Sequence, residues 1–443
     1  MTLAVRGVFW VLAYLGVVIA PLVFAAIGAS EPDHGFWTNF SVALAFVGLA
    51  MMGLEFALVA RFETVAAPFG QDGLLQFHRQ IGLVGLAFVL VHVAISTRWH
   101  AVPTSAALRA PALVWFGVAA AAAVVLLVVT SVWRRWLRLS YELWHVAHTV
   151  LAVVAVVGAL VHVYLINVST DPSLDAYVST LWKQLLWGLM SAAFIALLGW
   201  ARVIKPLAQR GRPWRLERVG RERGQTTTLT LSPPPGAPFR FAPGQFAWFA
   251  FGRSPFSLTL HPFSFSSSAE RGEVEIAVRA LGDFTSRIGE LAPGTKVYVD
   301  GPHGVFSMDQ DEGPGFCFIG GGVGITGLIS MLRTMADRED VRPAILIYAN
   351  RDWESAAFRD ELERLKKRMN LTVVHVLERP PANWPGEAGH VNGDILSRHL
   401  PHGYRRLQFF ICGPAPMMDA AQNALLELGV PGERVHTERF AMA

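Results

Sequence analysis

Six apolar runs lie almost entirely before residue 205 of this 443-residue chain, at about 8–28, 41–60, 75–96, 112–132, 144–166 and 181–201. Each is close to the roughly 20 residues that carry a helix across a bilayer core. That commits the first half of the chain to lipid. The first run also resembles a signal peptide, with small residues near Gly28 and Ala29. Its apolar stretch is longer than a signal core and carries a single basic residue, Arg6, so a retained helix is favoured. Arg134, Arg135 and Arg138 join the fourth run to the fifth, and Arg202, Lys205, Arg210 and Arg212 follow the sixth. The 29–40 and 167–180 connections hold Glu31, Asp33, Asp171 and Asp175 and no Lys or Arg, while Arg98 and Arg109 dissent. The balance places everything after residue 205 in the cytoplasm, beneath a plasma (inner) membrane.

Histidine is rare inside a bilayer, and an intramembrane ionisable group points to function. The third run contains His78 and His92, the fifth His148 and His162, and both pairs are 14 residues apart. On a helix that separation turns roughly 1400°, within about 40° of whole turns, and rises roughly 21 Å. Each helix therefore shows two imidazoles on one face, one near each leaflet. The two runs point the same way, so His78 can face His148 and His92 can face His162. Imidazole pairs across a gap between helices suit both axial positions of a haem iron, and two stacked gaps form an electron path. Polar helix–helix contacts are the plainer explanation, but a repeated spacing on parallel helices favours ligation of two haems b. His145 competes with His148 but breaks the 14-residue match; it is assigned to the cytoplasmic end. Glu55 is expected to pair with a basic residue at the interface rather than relay protons.

Beyond residue 205 the character changes. The chain as a whole is 52% hydrophobic and 16% charged, yet holds 40 Gly and 26 Pro, too many for helices alone. Thirty-eight basic against 34 acidic residues leave a net charge of +4, which excludes the field of a nucleic-acid binder. Only Cys317 and Cys412 are present, which rules out a disulfide scaffold or a Cys-rich metal site. After an Arg- and Pro-containing linker at 202–213, short β-prone segments at 226–231, 245–251, 274–279 and 296–299 predict a small antiparallel barrel. From about 315, strands at 315–319, 344–349, 371–377 and 408–412 alternate with helices at 325–335 and 355–368, which predicts a parallel α/β domain. Gly320-Gly321-Gly322-Val323-Gly324-Ile325-Thr326 joins its first strand to a helix. Glycines there let a backbone approach a pyrophosphate at a helix N-terminus.

These residues together resemble the NADPH oxidase and ferric reductase superfamily. His261-Pro262-Phe263-Ser264-Phe265-Ser266-Ser267 is similar to its flavin signature, Leu281-Gly282-Asp283-Phe284-Thr285 to its second flavin segment, and Asp300-Gly301-Pro302-His303-Gly304 to its barrel exit. Cys412-Gly413-Pro414 resembles the nicotinamide-side motif of the ferredoxin-reductase-like fold. Gly327 departs from the pattern, where the family usually has Pro. The resemblance implies three parts: residues 1–205 as a six-span di-haem bundle, 213–305 as an FAD-binding antiparallel barrel, and 313–443 as an NAD(P)H-binding α/β domain. It further implies that Ser264 hydrogen-bonds the flavin N5 region while His261, Pro262 and Phe263 shape its bed. Thr285 and Gly282 are expected at the FAD phosphates, and Phe440 as the aromatic cover of the flavin. Gly320, Gly321, Gly322, Gly324 and Thr326 are expected at the nicotinamide nucleotide, with Cys412, Gly413 and Pro414 beside its reactive ring. Ser264, Phe440 and Cys412 form the expected catalytic set. Arg351, after the second α/β strand, can pair with a 2′-phosphate, which favours NADPH while leaving NADH open.

The function expected is transmembrane electron transfer from NADPH through FAD and two haems b to an acceptor across the membrane. Oxygen, giving superoxide, is the first expectation, with a ferric chelate close behind and a quinone third. Arg98, His100 and Arg109 in the outer connection suit an anionic chelate or superoxide equally. A six-helix transporter with a nucleotide sensor is the alternative of another class, but it leaves the paired histidines unexplained and lacks broken spans. Nothing in the sequence calls for an obligatory protein partner.

Overall fold

The computed structural model describes residues 3–27, 35–99, 112–168, 180–236, 239–252, 254–257 and 259–439. It divides into two compact units, Met1–Phe69 with Gly73–Pro206, and Leu207–Ala443 with Gly70–Asp72. The first unit is helical, and six of the described helices are long and apolar enough to cross a membrane. They run over Leu3–Ala26, Phe36–Val59, Gly70–Trp99, Ala112–Val132, Tyr141–Val168 and Leu181–Gly199, here called the first to sixth spans. The chain is thus a multi-pass membrane protein.

Small residues let the spans approach. A Cβ on Gly158 of the fifth span would lie 3.4 Å from Ala120 Cβ and the Phe116 carbonyl of the fourth, and Gly53 of the second lies against the Phe194 ring of the sixth. Phe46, Leu49, Phe56, Val156, Trp187 and Phe194 form the apolar centre shared by the second, fifth and sixth spans. The buried Lys183 of the sixth donates Nζ to the Ala25 carbonyl at the end of the first, at 3.1 Å. The stretch expected to be linker from residue 202 is instead helical as far as Arg210: a widened turn, Trp200–Ile204, leads into Lys205–Arg210. Pro206 explains the widening, because it has no N–H to give the carbonyl four residues back.

The second unit holds two sheets. β1 (Trp214–Glu222), β2 (Thr226–Ser232), β3 (Phe246–Phe251), β4 (His261–Ser264), β5 (Val274–Arg279) and β6 (Lys296–His303) pair antiparallel in the order β4-β3-β6-β1-β2-β5. Just past β4, Phe265 pairs with Ile276 of β5, so the two edge strands meet and the sheet closes as the expected barrel. Leu216, Leu229, Phe249, Phe265, Ile276 and Val297 fill it. β7 (Phe316–Gly321), β8 (Ala344–Asn350), β9 (Leu371–Leu377), β10 (Glu387–Ala388), β11 (Gln408–Cys412) and β12 (Val435–Glu438) form a parallel sheet in the order β10-β9-β8-β7-β11-β12. The helix expected at 355–368 covers only Arg359–Leu365, because Phe358 at its start is left-handed, with φ 58°.

One helix, Ile325–Asp337, joins the sheets. Ser330 Oγ donates to the Ser267 carbonyl (2.7 Å), Ala269 N donates to Thr334 Oγ1 (2.9 Å), and Arg333 forks onto Glu361 while reaching Glu275 and the Ser266 carbonyl. At its last residue, the Arg271 guanidinium (2.9 Å), joined by Arg368 (3.0 Å), holds the Asp337 carboxyl down at about 2. That folded value lies below the ordinary carboxylate value of about 4, so the pairing stabilises the fold above pH about 4 and is lost as pH falls toward 2. Asp337→Asn therefore lowers stability at neutral pH and flattens its fall over that acid range, as measured by denaturant unfolding against pH.

Candidate functional site

The third and fifth spans place the four histidines as their spacing requires. The rings of His78 and His148 have centroids 6.1 Å apart, and His162 lies within electrostatic reach of His92. Neighbouring spans dictate which nitrogen each ring offers. His78 Nδ1 donates to the Glu55 carboxylate of the second span. His92 Nδ1 lies 3.1 Å from the Ser41 carbonyl and 2.9 Å from its hydroxyl. Ser131 gives its own hydrogen to the Leu127 carbonyl (2.6 Å), so its oxygen accepts from His148 Nδ1 at 3.2 Å and Trp144 Nε1 at 3.3 Å. In all three rings Nδ1 carries the proton and Nε2 keeps the lone pair that a metal takes.

Glu55 thus has a basic partner as expected, and that partner is His78 of the third span, with the Glu55 side chain only 13% exposed. The sequence reading missed Ser41, Ser131 and Gly117, although the signal was present. Ser41 and Glu55 are 14 residues apart on the second span, and Gly117 and Ser131 are 14 apart on the fourth. These are the spacings of the histidines they meet. A Cβ on Gly117 would lie 2.9 Å from His162 Nδ1 and Cε1. Gly82, one turn from His78 on the same face, has no heavy atom within 4 Å of a Cβ position. Two metal–nitrogen bonds of about 2 Å and two ring half-widths add up to roughly the observed His78–His148 separation. These residues fit a planar group held from both faces. Among the described residues no cluster of three or more His, Cys, Asp or Glu could hold a bare metal ion.

In the barrel, β4 carries the first flavin segment, with Phe246 opposite Ser264 and Phe249 opposite His261. Pro262 and Phe263 lie between them, opposite Trp248 and Ala247. The His261 ring stacks on Phe284 at 3.8 Å and 3°, which brings the two flavin segments together. Ser264 Oγ is buried with no hydrogen-bond partner. A flavin nitrogen would satisfy that hydroxyl. The Thr285 hydroxyl accepts from Leu281 N (3.0 Å) and Gly282 N (2.9 Å) and donates to the Gly282 carbonyl (3.1 Å), closing the start of the short helix Asp283–Arg287.

In the α/β domain the strand order reverses beside β7, with β8 on one side and β11 on the other. The crevice at the carboxyl ends of such strands is where ligands bind. It is built here from the glycine turn and Cys412-Gly413-Pro414, packed backbone to backbone. A Cβ on Gly324 would meet the Cys412 carbonyl at 2.3 Å, one on Gly321 would meet Pro414 Cδ at 2.8 Å, and one on Gly413 would meet Gly321 N at 2.9 Å. Gly320 pairs with Cys412 across β7 and β11. Gly322 has φ +53°, and a Cβ there would reach Arg279 Nη1 at 3.0 Å. Arg279, which the sequence reading passed over, lines a cleft with Thr226, Gly322, Thr326, Ser355 and Phe358. The Thr326 hydroxyl turns back onto the Val323 carbonyl (3.0 Å), so it shapes the turn instead of reaching outward. Arg351 is exposed just beyond β8.

Glu438 is a further residue the sequence did not single out. It pairs with Cys412 across β11 and β12, and its Oε2 is buried without a partner. Burial pushes both the Cys412 thiol and the Glu438 carboxyl well above their ordinary values. Glu438 Oε1 and the Phe246 ring both border Gly304, and Phe246 pairs with Ser264. The barrel exit thus gathers Ser264, Cys412 and Glu438 into one neighbourhood. Phe440, His100 and Arg109 lie outside the described residues.

Three families match in succession along the chain. Residues 44–159 match the ferric reductase like transmembrane component, 219–307 an FAD-binding domain, and 318–423 the oxidoreductase NAD-binding domain. The chain belongs to the NADPH oxidase and ferric reductase superfamily. Among curated proteins it is similar to NADH-cytochrome b5 reductase 1 of Debaryomyces hansenii, 28% identical over 37% of this chain and 60% of that one. It also resembles the ferredoxin reductase component of 3-ketosteroid-9-alpha-monooxygenase of Rhodococcus rhodochrous, 32% identical over 46% of this chain and 56% of that one. The chain therefore spans less than two thirds of the length of either relative. A solved ferredoxin reductase of carbazole 1,9a-dioxygenase aligns at 23% identity and TM-score 0.46, covering 52% of this chain and 69% of that one.

The contact at Gly117 generates a prediction about the four-histidine arrangement. Gly117→Ala must push the His162 ring aside while leaving His78 and His148 untouched. If the four histidines hold haem, the share held through His162 falls and the share held through His148 stays, so haem per chain drops without vanishing, as read by pyridine haemochrome content of the purified protein.

Proposed function

We propose that this chain moves electrons across a membrane, oxidising NADPH at its soluble half and reducing an acceptor on the far side. The observation that carries the reading is the His78–His148 pair, with each Nδ1 held by a neighbouring span, in a chain that also bears FAD-binding and NAD-binding domains. When bound, FAD supplies the conversion of a two-electron donor into single-electron steps, and two haems b relay those electrons. The chain's own residues have definable tasks in this. His78 and His148 would hold one haem and His92 and His162 the other, with Nε2 of His78, His92 and His148 left to bind it. Ser264 Oγ orients the flavin through N5, on a bed of His261, Pro262 and Phe263. Cys412 and Phe440 border the nicotinamide, and the neutral Glu438 carboxyl holds a proton beside them. The glycine turn with Gly413 and Pro414 receives the pyrophosphate of NADPH, and Arg279 supplies the cation. Gly282 closes the adjoining flavin segment. The soluble half lies in the cytoplasm, and membrane lipid is the one obligatory surrounding.

Oxygen is the first-choice acceptor and a ferric chelate the second; turnover with oxygen, ferric citrate or a quinone, with and without superoxide dismutase, separates them. The purified protein holds two low-spin haems b per chain in this reading, and a count of one, or a five-coordinate high-spin spectrum, defeats it. His162→Leu keeps flavin and inner-haem reduction but abolishes reduction of an acceptor confined outside. His148→Leu leaves flavin reduced and any outer haem oxidised under anaerobic NADPH. Stopped-flow absorbance distinguishes the two, and a common stalling point contradicts the ordered path. Arg351→Ala raises KM for NADPH roughly tenfold, the order of one charge-assisted phosphate contact, and leaves KM for NADH unchanged.

A further inference from the structure

The two haem sites of the proposed path are not held alike. Both histidines of the third span give Nδ1 to the second span, but the acceptors differ in charge. His92 meets the neutral carbonyl and hydroxyl of Ser41, whereas His78 meets the carboxylate of Glu55. On the fifth span, His148 meets the neutral Ser131 hydroxyl. The Glu55 side chain is only 13% exposed, and its second oxygen is buried without a hydrogen-bond partner. Its contact with the imidazole of His78 is therefore shielded from water.

A carboxylate bonded to the remote nitrogen of a ligating imidazole makes that ring a stronger electron donor, which favours the more oxidised iron; a neutral acceptor does this less. Among the opposing charges at that end, Arg202 is the one that acts on His148; its Nη2 donates to Thr149 Oγ1 at 3.2 Å. It acts through a hydroxyl beside His148, whereas Glu55 touches the imidazole itself.

We propose that Glu55 is a positioning residue for the inner haem: it holds His78 by Nδ1, keeps Nε2 turned to the iron, and lowers the midpoint potential of that haem below that of the outer one. This rests on the two-haem reading above. Electrons then pass to a higher midpoint potential, downhill in energy, as they move outward, and the slope is set by one side chain of the second span.

The test is potentiometric titration of the full-length protein, followed in the haem absorbance bands. It is run on wild type, Glu55→Gln and Glu55→Asp, each also in a His162→Leu background where the inner haem is read alone. Gln keeps the shape and an acceptor oxygen but removes the charge; Asp keeps the charge. The expected result is an upward shift of the inner potential in E55Q with the outer potential unmoved, and recovery of most of that shift in E55D. An inner haem retained in E55Q at the wild-type potential or lower overturns the proposal, as does an E55D shift equal to that of E55Q. Should E55Q lose the inner haem, E55D decides: an inner potential below the outer supports the role, and one at or above it overturns the role. Failure of the two-haem reading shows separately, as fewer than two haems per chain in wild type.

Discussion

An imidazole buried among apolar helices has two nitrogens to satisfy, and the bilayer offers no water to do it. That constraint organises the membrane unit. His78, His92 and His148 each place Nδ1 against a polar atom of a facing span: Glu55, Ser41 and Ser131. The same bond that relieves the desolvation cost fixes ring orientation and tautomer. Spans that could otherwise rotate in lipid are pinned at these points, with the His78 and His148 rings turned toward one another.

The soluble unit meets a different constraint, the approach of polyanionic cofactors to a backbone. It does so by removing side chains. Gly321, Gly324 and Gly413 allow two loops to touch through their main chains, so N–H groups and helix ends face the crevice instead of Cβ atoms. Elsewhere the unit buries side-chain atoms with no protein partner: Ser264 Oγ and Glu438 Oε2. Burial pushes the Glu438 carboxyl well above its ordinary value.

The spans, the closed barrel, the parallel sheet and the histidine pairs were legible in the sequence because each rests on a period: about 20 apolar residues, alternation along strands, or 14 residues between imidazoles. What was not legible depends on where one hydroxyl or carboxylate points. Thr285 and Thr326 sit in cofactor-like segments, but each hydroxyl finds a nearer backbone partner in the turn it closes. Glu55 reads as interfacial until the third span is beside it. Arg279 and Glu438 are single residues at strand ends, unremarkable until β7, β11 and β12 bring the crevice to them. The helix expected at 355–368 was cut by the left-handed backbone of Phe358, a feature no hydrophobic period records. Conversely, the sixth span ran on past the basic residues taken for a linker, because Lys and Arg continue a helix readily.

The spacing of 14 recurs in Ser41 and Glu55, His78 and His92, Gly117 and Ser131, and His148 and His162. It equals two heptads, which fall about 40° short of whole turns on a straight helix and so favour a left-handed coiling of the spans about one another. The four helices thereby share one ruler. Substitution can alter either site alone, yet inserting or deleting one residue between the two levels of any span swings one partner by about 100° relative to the other. Divergence within such a bundle is thus free in side chains and frozen in length: the stretches between residues 41 and 55, 78 and 92, 117 and 131, and 148 and 162 can drift in composition but cannot accept an indel without surrendering one of the two levels.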